Sequence, residues 1–265
     1  MIGIFDSGIG GLTVVREVLK QLPRYRIVYF GDTARTPYGP KSPRTIIEYA
    51  LEDTEFLLKQ GAQIIVVACN SVSSVATAVL KERFRVPIFE VIAPAVRTTL
   101  ALTRRRRVGI IGTRATIDSG VYERSLKALD PEIQVFSHPC PLLVPLVEEG
   151  WLKRTETKQI VRKYLYPLKL KQIDTLVLGC THYPLLKGII QTKIGRRVRV
   201  IDSSQEVAAW VKTYLEENPT LAGSLSAAEG EGGGHRFFVS DLTPNSEAIA
   251  RDFLGRPITL EMAGD

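Results

Sequence analysis

The sequence alternates short, almost wholly apolar runs with longer stretches of helical periodicity, and this alternation narrows the fold more than any other feature. Strand-length runs fall at residues 2–5, 26–30, 64–68, 88–91, 108–111, 134–137, 175–178 and 198–201. Helical patterns lie between them at 12–21, 43–60, 72–83, 120–128, 155–168 and 205–218. Strands that alternate with helices need crossover connections, so the pattern predicts mostly parallel sheets. Runs such as "IIVVA", without polar alternation, predict strands covered on both faces. The stretch 220–234, "TLAGSLSAAEGEGGG", is glycine-rich and predicts a flexible loop, after which "RFFVS" and "PNSEAIARDFL" predict a last strand and helix.

A repeat lies within this order. "IGIFDSGIGG" at 2–11 resembles "VGIIGTRATIDSG" at 108–120, each a strand, a polar residue and a helix start. The following pairs are "RIVYF" with "IQVFS", "IIVVACNS" with "TLVLGCTH", and "VPIFEVI" with "VRVIDS". Each half is therefore β-α-β-α-β-α-β with one cysteine at the end of its third strand. The expected fold class is α/β, with two similar domains of mostly parallel sheet flanked by helices. The first domain spans 1–92 plus 206–265 and the second spans 93–205. Ligands of parallel α/β sheets sit beyond the carboxyl ends of the strands. Asp6, Ser7, Asp32, Cys69, Asn70, Thr113, Cys180, Thr181 and His182 all fall at such ends. Two domains facing each other across those edges would enclose an interdomain cleft with a thiol on each wall.

Cysteine usage and charge exclude other classes. Three cysteines, far apart and without CxxC, argue against a disulfide framework and against a zinc site. No apolar run approaches the ~18–20 residues of a membrane span. The start, "MIGIFDSGIGG", lacks the succession of a signal peptide, so a cytoplasmic location with free thiols is expected. The net charge is +7, densest in "RRRR" at 104–107. That run precedes the apolar "VGIIG" as a solvated turn precedes a strand, and no interleaved aromatics accompany it. Neither a nucleic acid nor a membrane is the expected partner.

A thiol can serve as a carbon-acid base once it ionises in a closed site, and backbone N–H groups or cations favour the thiolate. Cys69, before Asn70–Ser71, and Cys180, before Thr181–His182, both belong at strand-to-helix turns where free amides point inward. Two bases on opposite faces of one carbon are what stereochemical inversion requires. Asp6 could orient a thiol or a substrate ammonium, or could cap the following helix. His182 could hold or relay the Cys180 proton. Glu148 or Glu149 could enter the cleft or remain exposed helix charge. Cys140, in "SHPCPLL", has no comparable partner and reads as structural. "GIFDSGIGGLTVV" imitates a dinucleotide loop, but its glycines are Gly8, Gly10 and Gly11, with Thr13 at the third fingerprint place. No GK[ST] supports a P-loop, and no CxxC or resolving partner supports a reversible thiol pair.

"GIFDSGIGGLTV", "GDTARTPYG", "ACNS", "PLVEEG" and "GCTHYPLL", in this order and spacing, closely resemble the glutamate racemases, from the first residues to "FLGRPITLE". The resemblance implies an enzyme of two α/β domains that interconverts L- and D-glutamate and supplies D-glutamate for peptidoglycan. It implies no cofactor: neither pyridoxal phosphate nor a metal. On this chain Cys69 would be the base for the D-enantiomer and Cys180 the base for the L-enantiomer. Asp6 and His182 would be their proton-handling neighbours, and Glu148 a further acidic residue near the second side. Substrate contacts would come from Asp6, Ser7, Tyr38, Gly39, Asn70, Ser71, Thr113, Thr181 and His182. The family usually carries Thr after "ACN", where Ser71 keeps the hydroxyl without the methyl. Aspartate racemases share the two-thiol logic, so side-chain length stays open. The family often forms dimers, which makes a homodimer the assembly to test.

Overall fold

The computed structural model describes residues 1–225, 227 and 234–264. Four strands lack polar alternation because both of their faces are covered. β1 (Ile2–Asp6), β2 (Ile27–Gly31) and β3 (Ile64–Val67) are buried at every residue, as is β7 (Thr175–Gly179). With β4 (Ile88–Glu90), the first three form a parallel sheet in the order β2-β1-β3-β4. β9 (Arg236–Val239) and β10 (Glu261–Met262) extend it beyond β2. β5 (Arg107–Gly112), β6 (Gln134–Pro139) and β8 (Arg199–Asp202) join β7 in a second parallel sheet ordered β6-β5-β7-β8. The two halves thus share one strand order, as the internal repeat predicts.

Alternate residues of each strand serve different cores. Ile2, Ile4, Ile64 and Val66 of the first sheet join Val108, Ile110, Leu176 and Leu178 of the second in one continuous apolar cluster. Helices α1 (Leu12–Gln21), α5 (Ile92–Leu102) and α11 (Ser203–Glu217) lie in that cluster, and α11 packs on both of the others. Phe5, Val28, Ile65 and Val67 face the other way, onto Ile46, Ala50 and Leu57 of α2 (Pro43–Lys59).

Several expectations need correction. The helix read over 72–83 is two, α3 (Asn70–Val75) and α4 (Thr77–Arg83). The Ser74 and Thr77 hydroxyls donate to the carbonyls of Ser71 and Ser73, a competition that loosens a helix at serine-rich sequence. The glycine-rich stretch begins as a helix, α12 (Pro219–Ser224), with Pro219 in its favoured first-turn place. Of the loop read there, residues 226 and 228–233 lie outside the described residues. Further helices were not read from the sequence: α5, α6 (Arg114–Asp118), α8 (Leu143–Glu148) and α10 (Lys187–Ile194). The helix read over 120–128 is α7 (Val121–Leu129), and α9 (Thr155–Leu170) and α13 (Ser246–Leu254) complete the set. Among the described residues no helix is long and apolar enough to cross a membrane.

Candidate active site

The carboxyl ends of both sheets converge on one small polar cavity. β3 runs into Cys69, the residue that precedes α3, and β7 runs into Cys180 at the equivalent place. Both thiols line the cavity. Ser7, Tyr38, Gly39, Asn70 and Ser71 complete the first wall, and Thr113, Thr181 and His182 the second. Of the residues singled out from sequence, Asp6, Asp32, Glu148 and Glu149 lie outside the lining; Asp6, Asp32 and Glu148 each stand one contact behind it. Thr36, Pro37 and Val144 also line the cavity and were not read from sequence. The first two adjoin the "TPYG" motif that pointed to Tyr38. Val144 sits in the helix that the sequence reading missed, and nothing in its surroundings marks it. The cavity measures about 30 Å³, room for about two or three waters.

The walls are tied to each other around this space. The hydroxyls of Ser71 and Thr113 share a hydrogen bond at 2.9 Å, and the Ala115 N–H donates to the Gly39 carbonyl at 3.0 Å. Tyr122 donates to Asn70 Oδ1 at 2.8 Å, which leaves Asn70 Nδ2 as a buried donor without a partner among the described residues. The Tyr38 hydroxyl does not face the cavity unengaged. It donates to Asp32 and, at 3.2 Å, to Asp53, while Arg35 bridges both carboxylates from outside. Burial, and then the neighbouring Asp32 charge, raise Asp53 well above the ordinary carboxylate range. This network anchors the 36–39 loop over the thiols.

Each thiol has a distinct set of neighbours. Cys69 Sγ lies 3.5 Å from Ser7 Oγ. Burial, and then the Asp6 charge, push the Cys69 thiol up to about 12. Asp6 is fully buried at the end of β1, where its Oδ2 accepts the Gly11 N–H at 3.0 Å and its Oδ1 accepts Thr181 Oγ1 at 3.5 Å. Burial raises Asp6 to about 6, against the lowering pull of His182 and of the Gly11 and Gly8 amides. On the other wall His182 Nδ1 faces Cys180 Sγ at 3.8 Å and Nε2 meets Glu148 Oε1 at 3.0 Å. Burial alone would lower the imidazole, but the Cys180 sulfur and Glu148 outweigh it and hold His182 up at about 10. Both neighbours favour the protonated ring over the neutral one. Gly10 allows this approach, since a Cβ there would lie 2.4 Å from His182 Cε1.

Cys140 stands apart. It is fully buried, its sulfur contacts the His138 carbonyl at 3.6 Å, and it does not line the cavity. No group of three or more His, Cys, Asp or Glu side chains able to hold a metal occurs among the described residues.

Two thiols at matching strand ends, an acid behind one and a histidine behind the other, can exchange protons with a carbon held between them. Known proteins of the same build are named as racemases. The sequence pattern of the Asp/Glu/Hydantoin racemase family matches residues 2–211. A glutamate racemase of Geobacter metallireducens is 45% identical over 96% of this chain and 92% of its own length. The crystal structure of a Bacillus anthracis glutamate racemase isoform superposes with a TM-score of 0.93 at 39% identity, covering 99% of this chain and 97% of the other. A Francisella tularensis glutamate racemase solved with D-glutamate gives 0.90 at 35% identity, over 99% and 97%.

Proposed function

The chain belongs to the Asp/Glu/Hydantoin racemase family and is an amino-acid racemase; we propose that its substrate is glutamate and that two cysteines carry the proton across. The observation that carries this reading is the placement of Cys69 and Cys180, which line one cavity from equivalent strand ends of the two sheets. The relatives named as glutamate racemases, one of them solved with D-glutamate, support the choice of substrate.

Cys180 takes the α-proton of L-glutamate, and Cys69 delivers a proton to the opposite face of the carbon. The C–H electron pair remains on the α-carbon, delocalised into the carboxylate, until the second thiol supplies its hydrogen. Cys69, held as a neutral thiol by burial and Asp6, is ready to act as that acid. In the reverse direction Cys69 must lose its proton first, and Asp6, raised to about 6, is a better acceptor than an ordinary carboxylate. His182, between Cys180 and Glu148, holds a proton for the other thiol. The reaction draws on no pyridoxal phosphate and no metal. The developing charge is met by donors already in place, among them Asn70 Nδ2 and the hydroxyls of Ser71, Thr113 and Thr181.

A cavity of about 30 Å³ cannot admit an amino acid, so binding requires opening. The bodies that part are residues 1–92 with 206–265, and 93–205. The Ser71–Thr113 and Gly39–Ala115 hydrogen bonds are the ties that break. D-Glutamate made this way would supply peptidoglycan in the cytoplasm, and a homodimer is the assembly carried with this reading.

The test is to incubate purified protein with L- and with D-glutamate in deuterated water, without pyridoxal phosphate, following optical rotation and α-deuterium together. Inversion of both enantiomers with deuterium in the product supports the reading. Exchange of aspartate alone would move the substrate, and exchange of neither would remove the thiols' role.

A further inference from the structure

The end of the second sheet opposite the catalytic cavity holds a feature that racemisation does not use. A groove of about 530 Å³ is lined by Arg104, Arg105, Arg196, Arg197 and Arg199, with Asp174 and the apolar Leu102. Arg104 and Arg105 come from the turn before β5, Asp174 directly precedes β7, and Arg196, Arg197 and Arg199 lead into β8. Two segments separate in sequence therefore place five guanidinium groups around one concavity, and a third supplies its carboxylate. β7 alone, at about 3.3 Å per residue, sets this groove roughly 15–20 Å from Cys180.

None of the five arginines forms an ion pair among the described residues, although Arg106, next in the run, pairs with Asp130 and Glu132. The one carboxylate in the groove is already committed. Asp174 accepts the N–H groups of Arg104 and Arg105 at 2.7 and 2.6 Å and the Thr103 hydroxyl at 2.7 Å. That pinning fixes the turn from which the first two side chains project. Helix C-termini also meet this end of the sheet, from α5, α9 and α10. Each carries about half a negative charge, so together they offset roughly 1.5 charges. Five cations against one carboxylate exceed that by more than two units. Solvating helix ends therefore accounts for only part of the cluster.

We propose that this arginine groove is a binding site for a small molecule bearing a chain of two or three phosphate groups. Its volume lies in the ~300–1,000 Å³ range of small-ligand sites. Guanidinium groups bind phosphate oxygens in bidentate fashion and keep their charge at any physiological pH. The lining has no aromatic side chain on which a base could stack, so recognition falls on the phosphates. The same absence disfavours an extended nucleic acid.

The probe is inorganic tripolyphosphate, titrated calorimetrically into the full-length protein at about 0.15 M salt, with ATP and a DNA duplex in parallel. The expected result is saturable one-to-one binding of tripolyphosphate that weakens as salt rises. ATP binding with equal affinity would mean that only the phosphates are read, and tighter ATP binding would mean that the nucleoside adds contacts; both fit the site. Arg104→Ala and Arg197→Ala should each weaken binding about tenfold. Arg162→Ala, on the exposed face of α9, should leave it unchanged. All three variants should racemise at the rate of the parent, which verifies their fold independently. The proposal is overturned if tripolyphosphate does not saturate, if Arg162→Ala weakens binding as much as Arg197→Ala does, or if the duplex displaces tripolyphosphate with several proteins bound along it. Because binding is read by heat, its failure is distinct from failure of the racemase reading.

Discussion

His182 Nδ1 stands 3.8 Å from Cys180 Sγ, inside a shell that leaves the residue only 5% exposed. Burial opposes the imidazolium, yet the sulfur and Glu148 raise it to about 10. The folded state therefore binds this proton more tightly than the unfolded chain, whose histidine titrates near 6.5. The stability it contributes is fully present below pH 6.5 and is lost as pH rises through about 10. Urea midpoints of the parent and of His182→Asn, measured from pH 6 upwards, should converge over that window. Parallel curves would show that the histidine is not held as a cation.

Asp6 gives the same sign in a lower window. Its folded value of about 6 exceeds the ordinary 3.8 because burial penalises the carboxylate. The stability linked to its proton is fully present below about pH 4 and is lost as pH rises through 6. A two-unit shift corresponds to roughly 3 kcal/mol. Asp6→Asn, which carries no charge, should gain on the parent by up to about that amount between pH 4 and 7. It should lose racemisation all the same, because the acceptor beside Cys69 is gone. A variant that neither gains stability nor loses turnover would refute both halves.

Replacement of either thiol separates chemistry from folding. Cys69→Ala and Cys180→Ala each remove one acid–base partner, an effect on the order of 10²–10⁴ in rate. Both sulfurs line the cavity as well as touching the core, so circular dichroism and the thermal midpoint should change little beside the loss of rate. Full turnover in either variant would end the two-base scheme. Cys140→Ala should do the reverse, preserving turnover while costing stability, because that side chain is fully buried away from the cavity.

Much of this site was legible because the constraint is local in sequence. A polar residue that follows a buried apolar strand must sit at a sheet edge, and in parallel sheets all such edges face one way. That rule brought Asp6, Cys69, Thr113 and Cys180 together from four strands. The repeat predicted one strand order in both halves, and the sheets run β2-β1-β3-β4 and β6-β5-β7-β8. Helix α8 spans only six residues, Leu143–Glu148, too few to show a helical period in the sequence, and Pro145 is tolerated in its first turn. Missing it hid the surroundings of Glu148 and the lining role of Val144. The carboxylate pair beneath Tyr38 was equally hidden, since Asp32 and Asp53 are 21 residues apart and nothing local shows that both are buried. The "RRRR" run was read as a solvated turn, and its groove emerges only when β8 brings three more arginines beside it.

Gly10 tests how closely the two walls must approach. A methyl group there would lie 2.4 Å from His182 Cε1 and 2.6 Å from Thr181 Oγ1, closer than packed atoms tolerate. Gly10→Ala should displace the imidazole from Cys180 and lower kcat/KM by about a hundredfold, since misplacement by an ångström has that effect. Gly188→Ala, in α10 with nothing within 4 Å of the new methyl, is the matched control. It should keep full activity and gain up to about 1 kcal/mol from helix propensity. Equal activity in the two variants would mean that the walls have slack.

Asn70 joins a stability cost to a catalytic gain. Its Oδ1 is fixed by the Tyr122 hydroxyl at 2.8 Å, and its Nδ2 is buried without a partner among the described residues. An unpaired buried donor costs about 1–3 kcal/mol, and the residue lines the cavity where a substrate carboxylate would accept that N–H. Asn70→Ala removes the unpaired amide but strands the Tyr122 hydroxyl, so the two changes oppose each other and the unfolding free energy should move by about 1 kcal/mol or less. The same variant loses a donor aimed at developing charge, which is worth on the order of 10²–10³ in rate. Tyr122→Phe should fall between, because the amide stays but its orientation is no longer enforced. Steady-state kinetics and urea denaturation on the two variants decide the matter: a large loss of kcat with little loss of stability assigns Asn70 Nδ2 to the substrate, whereas matched losses would make Asn70 a packing residue.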